Sequence, residues 1–178
     1  MSGRLPLGVG VFTTSAAIVV LVAWSVGLSD APRLFAGWRV MVPSSAFAFL
    51  CAGLGVMLVS TLRPTDRSTR IAVRALAGAM LVLPVATLLE YASGTRWGVE
   101  RWLGAPIPAA EGHPYAGRMS AMTSLAFVLL AVALGALTWS GQWAFRVVRV
   151  AGGAALAVSW FAVLAISFSS AHRQVIGE

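Results

Sequence analysis

The sequence predicts an all-α polytopic membrane protein with five transmembrane helices and a duplicated helical hairpin. Of its 178 residues, 58% are hydrophobic and 11% are charged, whereas about a quarter of the residues of a soluble domain are charged. Five apolar stretches are long enough to cross about 30 Å of hydrocarbon as helices. Two of these stretches, with the connection between them, have a second copy later in the chain.

The five predicted spans belong to one transmembrane domain that covers 1–178. They lie at 8–28, 43–62, 71–92, 119–139 and 147–169. The first resembles a signal peptide because Arg4 precedes an apolar run, but the run exceeds twenty residues and no small-x-small cleavage site follows it closely. We therefore expect a retained helix. The connection 93–118 is the only long one after the first hairpin, and 170–178 forms a tail.

The repeat comprises two pairs of matching segments. MVPSSAFAFL at 41–50 returns as MSAMTSLAFV at 119–128, and VRALAGA at 73–79 returns as VRVAGGA at 148–154. Hairpin repeat 1 is therefore placed at 41–92 and hairpin repeat 2 at 119–169. With five spans the two copies run in the same direction, so they are predicted to be parallel repeats related by a pseudo-twofold axis along the membrane normal.

The distribution of basic residues predicts the orientation. All 13 basic residues are Arg, and they flank apolar spans rather than alternate with exposed aromatic residues, so a membrane role is favoured over nucleic-acid binding. The short connections 63–70 and 140–146 carry Arg close to the span ends, where the positive-inside rule is strongest. We expect a bacterial inner-membrane protein with a cytoplasmic N-terminus, a periplasmic C-terminus and an extracytoplasmic loop at 93–118.

Small residues within the spans predict close helix packing. Gly78 in the third span and Gly152 and Gly153 in the fifth are the helix-packing candidates, since small side chains let helix backbones approach where lipid offers no hydrophobic drive. The contact could lie within the bundle or with a partner protein.

Aromatic residues near the span boundaries predict interface anchors. Trp97, Trp102, Trp139 and Trp143 fit the aromatic belt of membrane proteins, whereas Trp160 lies within a span. Trp97 and Trp102 belong to a segment that fits a short surface helix resting at the membrane interface, with a ligand-contacting lid as the alternative.

Glu90 is an acidic residue at the end of the third span. An ionisable group at membrane depth is a functional candidate by default. Glu90 lies within about one turn of the interface, so snorkelling or a polar contact with Arg96 is the simpler interpretation, and a proton relay is the alternative.

The sequence carries no signature of catalysis or of a metal site. The spans contain no nucleophile–base pair and no paired carboxylates, and neither a P-loop nor a dinucleotide motif is present. His113 and His172 lie outside the predicted spans, which argues against axial ligands to a haem in the bundle. No catalytic residue, metal or cofactor is predicted, although apolar surfaces are able to contact pigment or lipid without a motif.

The segment 118–127, RMSAMTSLAF, and the sequences TLLEYASG at 87–94 and WGVE at 97–100 resemble the multi-span N-terminal membrane regions of bacterial sensor histidine kinases and diguanylate cyclases. The resemblance covers about residues 40–169. It implies a shared membrane fold. Ala121 and Met122 stand where the family often has Pro and Asn, and no output module follows, so a shared output is not implied.

Two functions are compatible with these observations. The first is a non-catalytic accessory or structural subunit that packs against other integral membrane proteins in a larger assembly, for example a photosynthetic or respiratory one. The alternative is a membrane-embedded sensory or anchoring module of a bacterial signalling system. The expected partners are the lipid bilayer and other membrane proteins.

Overall fold

The computed structural model describes residues 4–26, 41–62, 66–95, 97–99, 103 and 118–176; of Arg4 and 165–176 it describes the backbone alone. This part of the chain contains five α-helices and no strand. The helices are α1 (Arg4–Ser25), α2 (Pro43–Thr61), α3 (Arg67–Ser93), α4 (Ala121–Ala136) and α5 (Gln142–Ile176). The predicted all-α fold is confirmed for these residues.

Local sequence signals account for the helix ends. Pro43 occupies the first turn of α2, where its missing N–H needs no partner. The Ser120 hydroxyl caps α4 by accepting the backbone N–H of Thr123 at 3.1 Å. Gly94 ends α3 with φ of 66°, a left-handed conformation that glycine adopts at little cost.

Two helices differ in length from the predicted spans. Helix α4 has 16 residues, about 24 Å at the rise of an α-helix, which is shorter than the hydrocarbon core. Helix α5 has 35 residues; it starts before the predicted span, so Arg146 lies on the helix, and it continues through most of the predicted tail. Four helices, α1, α2, α3 and the Gln142–Leu164 part of α5, are long and apolar enough to cross a membrane.

The helices form an open array rather than a closed bundle. Among the described residues, α2, α3 and α4 contact one another in the centre, α1 contacts only α2, and α5 contacts only α4. The central core contains Ala48, Cys51, Met80, Met119, Phe127 and Ala131. The Phe49 and Phe127 rings pack edge to face beside it, with centroids 4.8 Å apart.

Consecutive helices run in opposite directions. Trp24 Nε1 near the end of α1 donates to the Met41 carbonyl just before α2 at 3.0 Å. Arg74 Nε near the start of α3 donates to Thr138 Oγ1, just after α4, at 2.9 Å. The described part of the molecule therefore has two ends, one holding the starts of α2 and α4 and the other the starts of α3 and α5.

Small residues form much of the interior, beside a few large ones such as Met80 and Phe127, and many large apolar residues face outward. Ala46 and Ala48 are 0% exposed, whereas Phe12 is 76% and Trp160 is 68% exposed. A water-soluble protein places large apolar side chains inside. The opposite distribution is compatible with apolar surroundings, in which helices associate through small residues.

The glycines that allow close approach lie between α1 and α2 and between α2 and α4. A Cβ at Gly53 would overlap the side chain of Thr14 and lie 3.0 Å from the Gly10 carbonyl oxygen, and one at Gly55 would lie 2.6 Å from a methyl carbon of Leu134. These glycines, together with Gly10, bring the helix backbones together. The sequence did not single them out.

Candidate functional site

A buried carboxylate lies where α3 ends. Glu90 is 2% exposed, in the last turn of a helix whose remaining residues are mostly apolar. Its Oε1 accepts the backbone N–H groups of Trp97 and Gly98 at 2.7 and 2.9 Å, and that of Val99 at a longer 3.5 Å. The short turn after α3 therefore wraps around the carboxylate and supplies donors to it.

The second oxygen of the Glu90 carboxylate forms an ion pair with Arg118, in the short segment that precedes α4. Arg118 Nη2 lies 2.8 Å from Glu90 Oε2, and both side chains are at least nine-tenths buried. The Arg118 guanidinium also lies 4.1 Å above the centre of the Tyr91 ring, and the Tyr91 hydroxyl donates to the Met119 carbonyl at 3.3 Å. Cation–π contact and charge-assisted hydrogen bonds both gain strength when water is excluded.

The contacts of Glu90 have a structural role. Both carboxylate oxygens of Glu90 have donors, so the charge is stabilised without water, and the same contacts tie three separate segments together. We call Glu90, Tyr91 and Arg118, with the N–H groups of 97–99, the Glu90 lock. It joins the end of α3, the following turn and the start of α4.

Sequence reasoning identified Glu90 but chose a different partner for it. Arg96 lies outside the described residues, and Arg118 was missed as a partner. Arg118 is 28 residues from Glu90 along the chain, whereas Arg96 is close in sequence. A usable signal was present, because Arg118 directly precedes the fourth span and consecutive spans bring that position to the end of the third.

The three predicted packing glycines have no close neighbour in the described part of the chain. A Cβ added at Gly78, Gly152 or Gly153 would meet no described atom within 4 Å. Gly78 and Gly153 are exposed and Gly152 is half-buried, and close packing within the chain at these positions stays a prediction. A contact with a partner protein at these glycines stays a prediction.

The predicted anchors lie at both ends of the molecule. Trp97 follows α3 beside the Glu90 lock, whereas Trp139 and Trp143 flank the turn between α4 and α5; all three side chains are more than half exposed. Trp102 lies outside the described residues. Exposed tryptophan rings lie at both ends of the described molecule, and their role as membrane-interface anchors stays a prediction.

A groove opens between α2, α4 and α5. Its volume is about 420 Å³, and it is lined mainly by apolar side chains, among them Phe49, Phe127, Leu130 and Val163, with the hydroxyls of Ser45, Thr123 and Ser159. It exists because α5 packs on α4 but not on α2. Among the described residues, no three or more His, Cys, Asp or Glu side chains are grouped to hold a metal ion.

Fold and site define a broad class, an all-helical protein whose apolar helices are compatible with a membrane. No protein-family model, curated protein or solved structure matches the chain.

Proposed function

We propose that this chain is a non-catalytic integral membrane protein that acts as an accessory subunit and packs against other membrane proteins in a larger assembly. The proposal includes its location in the bacterial inner membrane and a fold built on a duplicated hairpin. The larger assembly in this proposal is, for example, a photosynthetic or respiratory complex.

The outward position of large apolar side chains supports a membrane location. Phe12 on α1 and Trp160, Phe161 and Leu156 on α5 are each at least 64% exposed. Burying one such side chain away from water is favourable by about 1.5–3 kcal/mol. Exposing this many of them to water is costly, and a bilayer or a partner protein removes that cost.

Equivalent helix starts support the duplicated hairpin. Pro43 and Ala121, the first residues of α2 and α4, occupy the same position in the matched segments. Extending the second match backward aligns Arg67 with Gln142, the first residues of α3 and α5. Two copies of one hairpin are expected to begin their helices at the same residues.

The open array is the observation that carries the accessory role. Helices α1 and α5 each contact a single helix in the described part of the chain, and both carry large apolar side chains that no described residue covers. Gly78 and Gly153 are equivalent in the two repeats and both face outward into open space. A glycine within a helix costs about 1 kcal/mol relative to alanine, and a closely approaching partner helix gives that cost a structural reason.

A sensory module is the second candidate, and the groove favours it. A groove of about 420 Å³ falls within the range of about 300–1,000 Å³ typical of small-molecule sites. A lipophilic stimulus that bound between α2 and α5 would change their separation. This candidate also follows from the resemblance to sensor membrane regions.

Extraction from native membranes with a mild detergent distinguishes the two candidates. Size separation followed by mass spectrometry of co-migrating proteins is expected to place the chain in stoichiometric amounts within a large membrane complex. Migration alone, or only with a kinase or cyclase, would exclude the accessory role and support the sensory one. Release of the chain from membranes by alkaline carbonate would contradict both.

A further inference from the structure

The end of the molecule that holds the starts of α3 and α5 is strongly basic. Its described side chains include five exposed arginines and one acid, Asp66; the arginines are Arg67, Arg70, Arg74, Arg146 and Arg149. None of these arginines forms an ion pair with a described residue. Exposed aromatic rings accompany them, since Arg146 lies 5.5 Å from the centre of the Trp143 ring. We call this region the basic end.

One guanidinium at the basic end is held in a fixed orientation. Arg74 Nε donates to Thr138 Oγ1 at 2.9 Å, and the Thr138 hydroxyl donates in turn to the Gly135 carbonyl at 2.7 Å. Thr138 is 6% exposed, so the contact orients Arg74 from inside. The two Nη groups of Arg74 have no described partner and remain available as donors.

A guanidinium that is oriented by a hydrogen bond and has no described carboxylate partner is suited to binding a phosphate group. Its planar fork matches two phosphate oxygens, and a fixed orientation reduces the entropy lost on binding. Arg74 also lies about one turn inside the predicted apolar span, which begins at 71. In a membrane this depth is close to the lipid headgroups, and the positive-inside rule alone does not require a hydroxyl that orients the side chain.

We propose that Arg74, oriented by Thr138, binds the phosphate of an anionic phospholipid at the basic end. The charge of this end is complementary to an anionic headgroup, and basic sites between helices on the cytoplasmic side of membrane proteins bind such lipids. The inference rests on the proposed membrane location.

Arg149 provides a matched control. It occupies the position in the second repeat that Arg74 occupies in the first, and it is exposed at the same end, but no described hydroxyl holds it. General attraction of basic residues to an anionic surface would make both arginines contribute equally to lipid binding. A specific site formed by Arg74 and Thr138 would make lipid binding depend on Arg74 and not on Arg149.

The test uses the full-length protein in bilayer nanodiscs that contain phosphatidylglycerol and phosphatidylcholine with identical acyl chains. Native mass spectrometry after release from the nanodisc counts the retained lipids of each class. R74Q is expected to lower retained phosphatidylglycerol roughly fivefold, the effect of one basic residue near a membrane surface. T138V is expected to lower it in the same direction while Arg74 keeps its charge, and R149Q to change it by less than half as much.

Three results would overturn the inference. Equal losses in R74Q and R149Q would indicate general charge attraction, and equal retention of both lipids by the wild type would indicate no anionic preference. Displacement of phosphatidylglycerol by millimolar inorganic phosphate would assign the site to free phosphate. Failure of the wild type to enter bilayers would instead contradict the proposed membrane location. Should R74Q fail to fold, T138V and R149Q still decide the outcome.

Discussion

Phe49 and Phe127 pack edge to face with ring centroids 4.8 Å apart and an interplanar angle of 81°. The two rings come from the same position of the two matched segments. In an object with an approximate twofold axis, equivalent residues meet only near that axis. Under the proposed duplication, the contact is expected where the pseudo-twofold axis passes between α2 and α4.

The helices on the two sides of this proposed axis pack differently. Among the described residues, α3 packs on both α2 and α4, whereas α5, its counterpart under the proposed duplication, packs on α4 alone. The groove lies where the missing contact between α5 and α2 would be. The described helices are therefore packed together on the α3 side of this contact and open on the α5 side.

The Glu90 lock predicts strong coupling between two residues. E90Q or R118M alone is expected to destabilise the protein by about 3–5 kcal/mol, because each leaves a buried charge without its partner. The double variant E90Q/R118M is expected to recover much of this loss, because the amide oxygen at 90 still accepts the backbone N–H groups of 97–99 while no unpaired charge remains. Unfolding in increasing SDS measures all three. R70Q, which alters an exposed arginine of α3, serves as the control, and single variants as stable as R70Q would contradict the lock.

The packing of α1 on α2 predicts opposite effects at two glycines. G53A is expected to destabilise the protein by about 1–3 kcal/mol, because the added Cβ overlaps Thr14 in a filled interface. G78A meets only open space and is expected to stabilise by up to about 1 kcal/mol through helix propensity. The same SDS unfolding assay compares them, and a loss in G78A as large as in G53A would refute this packing.

The outward glycines predict a loss of assembly without a loss of stability. G78L and G153L are expected to leave SDS unfolding of the purified chain unchanged, because no described atom lies within 4 Å of a Cβ at either position. Co-migration with the larger complex after detergent extraction is expected to fall, since the larger side chain keeps a partner helix away. Unchanged co-migration in both variants would remove these glycines from the partner interface.

The proposed orientation predicts which end reacts from outside the cell membrane. Cys51 is the single cysteine and is buried, so C51A provides a background for single-cysteine variants. T95C is expected to react with an impermeant maleimide in intact spheroplasts, and Q142C only after permeabilisation, since the two exposed positions lie at opposite ends. The reverse pattern would invert the topology, and labelling of both in intact spheroplasts would contradict a spanning array.

Apolar length and turn chemistry made most of the helices predictable. Helices α2 and α3 lie within a few residues of the predicted spans 43–62 and 71–92, because the apolar length of each segment placed them. The start of α5 was less predictable, since the predicted connection 140–146 included Arg146, whereas the helix begins at Gln142 and continues through that arginine. An arginine near a span end is able to extend its side chain toward water, so charge alone does not end a helix.

Contacts between distant residues were the least predictable feature. The sequence identified Gly78 and Gly153 as small residues, but it did not show which face of each helix packs against a neighbouring helix. Arg118 and Thr138 gained their roles only once α3 and α4 were packed in opposite directions. Local sequence reports helix position and periodicity, whereas these contacts depend on the relative rotation of whole helices.

The accessory role is tested most directly by photo-crosslinking in living cells. A photo-reactive amino acid at position 153, on the outer face of α5, is compared with one at position 46, where Ala46 is 0% exposed. The account predicts that position 153 forms one discrete adduct with another integral membrane protein, identified by mass spectrometry, and that position 46 forms none. Absence of a protein adduct at 153, from a chain that remains in the membrane, would contradict it.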